Sequence, residues 1–213
     1  MLVADCQDPV ARERGLQAAA AAARRGDLVL MPVETSYALA TDAFSLRGAQ
    51  QVRQVKGQVV GMPLPILVPG ASTVMGLAAS IPQAARNLMT AFWPGLLALM
   101  LNPQPTLVWD QPDGHPILVR MPLHPVALDL LGRTGPLVAT SANAAGLPSP
   151  GSVEEAVAQL GEAFSVCLDA GPSQAWAELS TIVDATGPVP VIRRPGAVTL
   201  EDIREVCPDA VCE

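Results

Sequence analysis

Aromatic side chains are scarce in this chain. Three Phe, three Trp and a single Tyr make up 3% of 213 residues, although half of all residues are hydrophobic. The core must therefore be built from Ala, Val, Leu, Ile and Met. Charge is sparse as well, at 15%, with 13 Lys and Arg against 20 Asp and Glu, a net charge of −7. Such a composition buries a full core and excludes disorder. The acidic balance argues against a long nucleic-acid footprint, since phosphate backbones are held by clustered cations. A small anion such as a nucleotide can still be gripped by a few local cations. The two histidines, His115 and His124, and the four cysteines, Cys6, Cys167, Cys207 and Cys212, show no C-x-x-C spacing, so a zinc site has little support. Reduced thiols in a cytoplasmic protein are the expectation. No apolar run reaches membrane-spanning length and no signal-peptide pattern opens the chain, so no membrane partner is expected. G-x-x-x-x-G-K-[ST], G-x-G-x-x-G after a strand and G-x-S-x-G are all missing.

Proline and glycine, by contrast, are plentiful: 21 and 17, without a period. They punctuate many short elements. Asp8, Pro9 and the alanine run before Arg24-Arg25-Gly26 predict a first helix with a cap at each end. Leu28–Met31 reads as a buried strand. Ser45 opens a helix to about Lys56. Leu64–Val68 reads as a strand near an edge or bulge, because Pro65 interrupts it. A helix is predicted over 82–92, strands over 96–101 and 117–121, and a short helix from Pro125 that Gly132 can end. A strand over 136–140 runs into Ser141. Ser152 and Glu155 form a capping-box pattern for a helix to Leu160. Strands follow over 165–169, 180–184 and 190–194, then a helix capped by Thr199. The alternation is not strictly βαβ. It predicts one α/β (α+β) domain over 1–213, a twisted mixed sheet flanked by helices.

The stretch MPVETSYALATDAF, Met31 to Phe44, is unusual. An apolar strand opens there into hydroxyls, an isolated carboxylate at Glu34, and small residues, as though it continued while a ligand lay close to its backbone. Polar residues stand in similar places elsewhere. Thr35 follows the first strand, Arg120 lies inside an apolar one, Ser141 and Asn143 follow another, and Arg194 ends a fourth. Ligands of open α/β sheets gather at strand ends, and arginines, hydroxyls and an amide suit carboxylate and phosphate oxygens. Each residue also has a plain structural explanation as a turn, a cap or a solvated side chain. Arg120 is the exception, because an arginine among apolar neighbours needs a partner.

In order, these places resemble the YrdC-like family of threonylcarbamoyl-adenylate synthases from about Leu28 to Gly196. P-T-[DE]-T-x-Y-G-L is echoed by Pro32 to Leu39, K-x-R by Lys56-Gly57-Gln58 and W-P-G-P-L-T by Trp93 to Ala98. R-x-P is Arg120-Met121-Pro122, S-A-N-x-S-G is echoed by Ser141 to Gly146, S-T-I-V-D is intact at Ser180 to Asp184, and L-R-P-G appears as Arg193 to Gly196. The resemblance implies a reaction of threonine, bicarbonate and ATP that yields threonylcarbamoyl-adenylate and pyrophosphate, with Mg2+ on the phosphates. A separate tRNA-modifying complex would be the downstream acceptor. By the same resemblance Thr35, Arg120 and Ser180 surround the threonine. Lys56, Gln58, Ser141, Asn143, Ser149 and Arg194 surround the nucleotide, and Lys56 and Arg120 carry the catalytic charge. Several family positions differ: Val33, Ala38 and Ala98 replace Thr, Gly and Thr, Pro116 replaces a threonine, and Gln58 replaces the K-x-R arginine. Glutamine is neutral where arginine is a fixed, fork-shaped cation. Two further readings therefore stay open: a paralogue of weak activity that binds a nucleotide or a protein, and an enzyme that adenylates a different carbamate.

Overall fold

The protein is represented by a computed structural model that describes residues 1–34, 36–57, 63–173 and 179–213. Its strands are β1 (Leu2–Asp5), β2 (Val29–Val33), β3 (Ser36–Asp42), β4 (Ile66–Leu67), β5 (Leu97–Leu101), β6 (Ile117–Arg120), β7 (Leu137–Ser141), β8 (Val166–Asp169), β9 (Thr181–Asp184), β10 (Val191–Arg194) and β11 (Val211–Cys212). The helices are α1 (Pro9–Arg24), α2 (Leu46–Lys56), α3 (Ala71–Leu77), α4 (Gln83–Phe92), α5 (Pro125–Thr134), α6 (Val153–Leu160) and α7 (Leu200–Val206). All the strands join one mixed sheet in the order β1-β8-β2-β3-β7-β4-β6-β5-β9-β10-β11.

Local chemistry sets the helix starts. Asp8 accepts from the Ala11 N–H at 2.7 Å and Pro9 fills the first turn of α1. Ser45 accepts from Gly48 N–H at 3.0 Å to open α2, and Thr199 with Asp202 forms a reciprocal capping box on α7. Such caps satisfy N–H groups that the first helical turn leaves unpaired.

The two faces of the sheet are covered unequally. One face packs buried residues of α2, α3, α4, α6 and α7 into a single cluster with Leu30, Tyr37, Leu39, Leu97, Leu99, Val119 and Val183. On the other face, among the described residues, α1 and α5 pack against Val29, Met31, Ala38, Ala40, Leu137 and Ala139. The strands record the difference. Every residue of β2 is buried, whereas β6 and β9 alternate buried with less buried. The less buried set is Leu118, Arg120, Ile182 and Asp184.

Several expectations are corrected. The chain does not run straight on after Val33. It turns back, and β3 pairs antiparallel with β2, Pro32 opposite Tyr37 and Val29 opposite Ala40. The small residues of this stretch therefore serve packing as well. Ala40 lies in the cluster beneath the alanine-rich face of α1, and alanine on both sides permits a close helix–strand approach. β4 is short and lies inside the sheet, between β7 and β6, instead of near an edge. α5 passes Gly132 and stops at Gly135, whose φ of 83° suits glycine. At α6, Ser152 caps Glu155 as expected, but the Glu155 carboxylate accepts from Gly151 N–H at 2.7 Å. β1, β11 and α3 had no counterpart in the sequence reading; the first two are only four and two residues long and carry no clear alternation.

Candidate active site

A cavity of about 290 Å³ lies where the part of the sheet covered by α1 and α5 meets the part they leave open. Its apolar wall includes Val33, Ala38, Ala98, Leu118 and Ala139, and its polar groups include Ser36, Arg120, Thr140, Ser141, Ser149, Ser180 and Arg194. Of the residues singled out in the sequence, Arg120, Ser141, Ser149, Ser180 and Arg194 thus share one cavity. Thr35 and Gln58 lie outside the described residues.

Arg120 finds its partner in Glu34. Its Nη1 donates to Glu34 Oε2 at 3.0 Å and lies 3.4 Å from the Gly95 carbonyl. Glu34 Oε1 accepts from the Leu123 N–H. Both side chains of the ion pair are only 13% exposed. The carboxylate that looks isolated in the sequence is thus the counter-charge of the arginine in β6, brought there by the β2–β3 turn. Its two oxygens fix the guanidinium on one side and the backbone after β6 on the other.

Arg194, at the end of β10, is held differently. Its Nε and Nη2 donate to the Ser180 carbonyl at 3.1 and 2.7 Å, and Nη2 also reaches Ser180 Oγ at 2.9 Å. Burial, and then the charge of Arg120, pull its pKa below the ordinary arginine value. The two guanidiniums therefore feel each other across the cavity. Among the described residues no carboxylate forms an ion pair with Arg194. Gly196 makes the clamp possible: a Cβ there would stand 2.3 Å from the Leu179 carbonyl oxygen and 2.7 Å from the Thr181 nitrogen. The arginine and glycine of the Arg194-Pro195-Gly196 run both act on the backbone that presents Ser180.

Lys56 sits at the last turn of α2, with 9% of its surface exposed. Its Nζ donates to the Ser141 carbonyl at 2.9 Å, to Asn143 Oδ1 at 2.7 Å and to the Asn143 carbonyl. Burial lowers its pKa. Ser141 Oγ lies 2.7 Å from both Asn143 Oδ1 and Ser149 Oγ. Lys56 and Asn143 are thus fastened beneath the loop after β7, and the serines of that loop reach the cavity wall.

The cations that could stand in for the arginine replaced at Gln58 are engaged elsewhere. Arg53 Nε donates to Asp110 at 2.7 Å, and Arg193 pairs with Asp184 at 2.8 Å and with Glu213. Of the positions that differ from the family pattern, Val33, Ala38 and Ala98 line the cavity. Pro116 precedes β6 and is not part of that lining. His124 is an N-cap whose Nδ1 accepts from Val126 N–H at 3.2 Å, with a pKa lowered by burial. Ser36 and Thr140 were not singled out, although a hydroxyl-rich run in a buried strand was signal enough to include Ser36. Among the described residues, no three His, Cys, Asp or Glu side chains converge to hold a metal ion.

The Sua5–yciO–yrdC family profile, described as "Telomere recombination", matches residues 21–196. A Mycobacterium tuberculosis (strain H37Rv) protein, named provisionally as a threonylcarbamoyl-AMP synthase, is 46% identical over 203 residues, 95% of this chain and 93% of its own. The threonylcarbamoyl-AMP synthase of Bacillus subtilis (strain 168) is 34% identical over 191 residues, covering 88% of this chain and 55% of its own. Among solved structures, Pyrococcus abyssi Sua5 complexed with L-threonine superposes with a TM-score of 0.87 at 29% identity, over all of this chain and 62% of that one. Escherichia coli YciO shares the fold at a TM-score of 0.78 and 19% identity, over 95% of this chain and 97% of its own.

Proposed function

The chain belongs to the Sua5–YciO–YrdC family, and on that premise we propose that it forms threonylcarbamoyl-adenylate and pyrophosphate from threonine, bicarbonate and ATP. The observation that carries the proposal is the charge of the cavity. In a protein of net charge −7, two guanidiniums face one cavity, and among the described residues Arg120 alone of the two has a carboxylate partner. Such a site draws anions. Arg120 takes the threonine carboxylate, with Ser180 and Thr35 beside it. Arg194, Ser141 and Ser149 take the phosphates, and Lys56, Asn143 and Gln58 support that side.

The neutral amine of threonine takes up the carbon of bicarbonate, and water leaves. An oxygen of the resulting carbamate attacks the α-phosphorus of ATP. The bond to the β-phosphate oxygen breaks, and pyrophosphate carries the electron pair away. The chain contributes position and positive charge, which suffices where charge shifts among phosphate oxygens. Magnesium on the triphosphate would supply charge neutralisation; the described cavity lining offers hydroxyls such as those of Ser141 and Ser149 and no carboxylate cluster to hold the ion. The adenylate then passes to a tRNA-modifying complex. No described helix is long and apolar enough to cross a membrane, and the compartment expected is the cytoplasm.

One observation favours a second reading, a paralogue of weakened activity: Arg53 and Arg193 are both committed to carboxylates. Pyrophosphate release decides between the two. An active synthase releases pyrophosphate only when threonine, bicarbonate and ATP are all present. Release independent of threonine, or no release beside an active relative, overturns the first reading.

A further inference from the structure

Three consecutive side chains in the connection between β5 and β6 reach three separate segments. Trp109 stacks on Phe44, ring centroids 5.9 Å apart and planes at 13°. Asp110 accepts from Arg53 Nε at 2.7 Å through its carboxylate and from Nη2 at 3.4 Å through its carbonyl. Gln111 pairs both ways with the Leu64 backbone, accepting from its N–H at 3.2 Å and donating to its carbonyl at 3.0 Å. The amide of Gln111 thereby does for Leu64 what a neighbouring strand would do. Phe44 precedes α2, Arg53 lies within it, and Leu64 precedes β4. The contacts therefore close on both sides of the segment that carries Lys56 and Gln58. The Arg53 side chain is only 4% exposed, so its charge is desolvated and a missing partner is not replaced by water.

We propose that Trp109, Asp110 and Gln111 form a strap that positions the nucleotide side of the cavity. Asp110, acting through Arg53, sets the last turns of α2. Lys56 then reaches the Ser141 and Asn143 carbonyls, and the loop that carries Ser141 and Ser149 is held in place. Arg120 lies on β6 and takes its side-chain alignment from Glu34; the strap reaches it through the backbone pairing of Leu67 with Arg120, so the threonine side feels the strap less than the nucleotide side does. Asp110 touches no substrate; it is a positioning residue. The inference rests on the nucleotide reading of the Ser141–Ser149 loop.

The test uses the full chain with Asp110→Asn, which keeps shape and removes charge, and Asp110→Glu, which keeps charge. Calorimetry reads the Kd of ATP and of threonine, and amide exchange reads α2. The expected result for Asp110→Asn is an ATP Kd raised about tenfold, in line with what small misplacements cost a prearranged site, with threonine affinity changed less than twofold. Amides of Val52 to Lys56 exchange faster while those of α1 do not, and Asp110→Glu recovers part of both effects. Gln111→Ala gives the same pattern in smaller size and serves if Asp110→Asn does not fold. Equal weakening of both ligands, or unchanged ATP affinity with unchanged exchange, overturns the strap. If the natural chain binds no ATP, the nucleotide reading fails. The exchange measurement still decides the strap, because α2 protection unchanged in both variants overturns it.

Discussion

Two halves of the same sheet face are built to different ends. Over β1, β8, β2, β3 and the start of β7, helices α1 and α5 cover the strands, and Met31, Ala40 and Leu137 are buried. Over β6, β5, β9 and β10 no described helix packs, and Leu118, Met100, Ile182 and Arg194 stay partly exposed. The covered half holds the fold by burial of aliphatic surface. The open half gives up that burial and gains room for two guanidiniums. One face thus divides its labour between stability and chemistry.

Leucines on that face give the sharpest way to break the comparison. Leu137→Ala, in the covered half, should cost about 2–5 kcal/mol, as deletions at fully buried sites do. Leu118→Ala, in the open half, should cost about 1 kcal/mol, because part of its surface already meets water. Denaturant unfolding measures both, and equal losses would erase the distinction between the halves. Arg120→Ala should have a different profile. Stability falls by about 1–3 kcal/mol, because the largely buried Glu34 loses its counter-charge, while threonine-dependent pyrophosphate release falls about 10²-fold, the effect of losing one preorganised donor. An equal loss in ATP affinity would show that Arg120 does not belong to threonine.

Gln58→Arg should raise ATP affinity severalfold, since a cation returns beside Lys56 and meets phosphate. If it changes nothing, Val33 and Ala98 in the cavity wall become the cause of any weakness. The smallest expected effect is a pH dependence at the end of β9. Burial works against the charged form of Asp184, but hydrogen bonds from Thr186 and Arg193 outweigh it and hold the pKa below its ordinary value of 3.8. A depressed carboxylate pKa gives stability that is present above the unfolded value and lost as pH falls through the folded one. Asp184→Asn should therefore flatten the acid side of the stability curve below about pH 4, and acid titrations followed by circular dichroism should show it.

Much of this plan was legible in the sequence. Caps at Asp8, Ser45, Ser152 and Thr199 announced four helices, because capping is a contact between neighbours in the chain. Continuous apolar runs announced the central strands. The ordered motifs pointed to the family, and the family profile and relatives bear that out. The motifs also carry Arg120, Ser141, Ser149, Ser180 and Arg194, which the fold gathers at one cavity.

What the chain could not disclose by itself is pairing at a distance. Glu34 and Arg120 are 86 positions apart, and nothing local says that the β2–β3 turn delivers the one to the other. Nor does anything local say that Lys56 Nζ donates to Ser141 and Asn143, 85 and 87 positions away. The extended course of β3 is legible in the small-residue stretch, but its reversal to pair antiparallel with β2 is not. The value of its alanines appears only when the alanines of α1 lie against them. Residue order along the chain settled composition, caps and motifs, which depend on neighbours within a turn or two. Tertiary structure decided which charges meet, which face stays open and which cations are already taken, because those depend on sheet order, and sheet order is fixed by burial summed over the whole molecule.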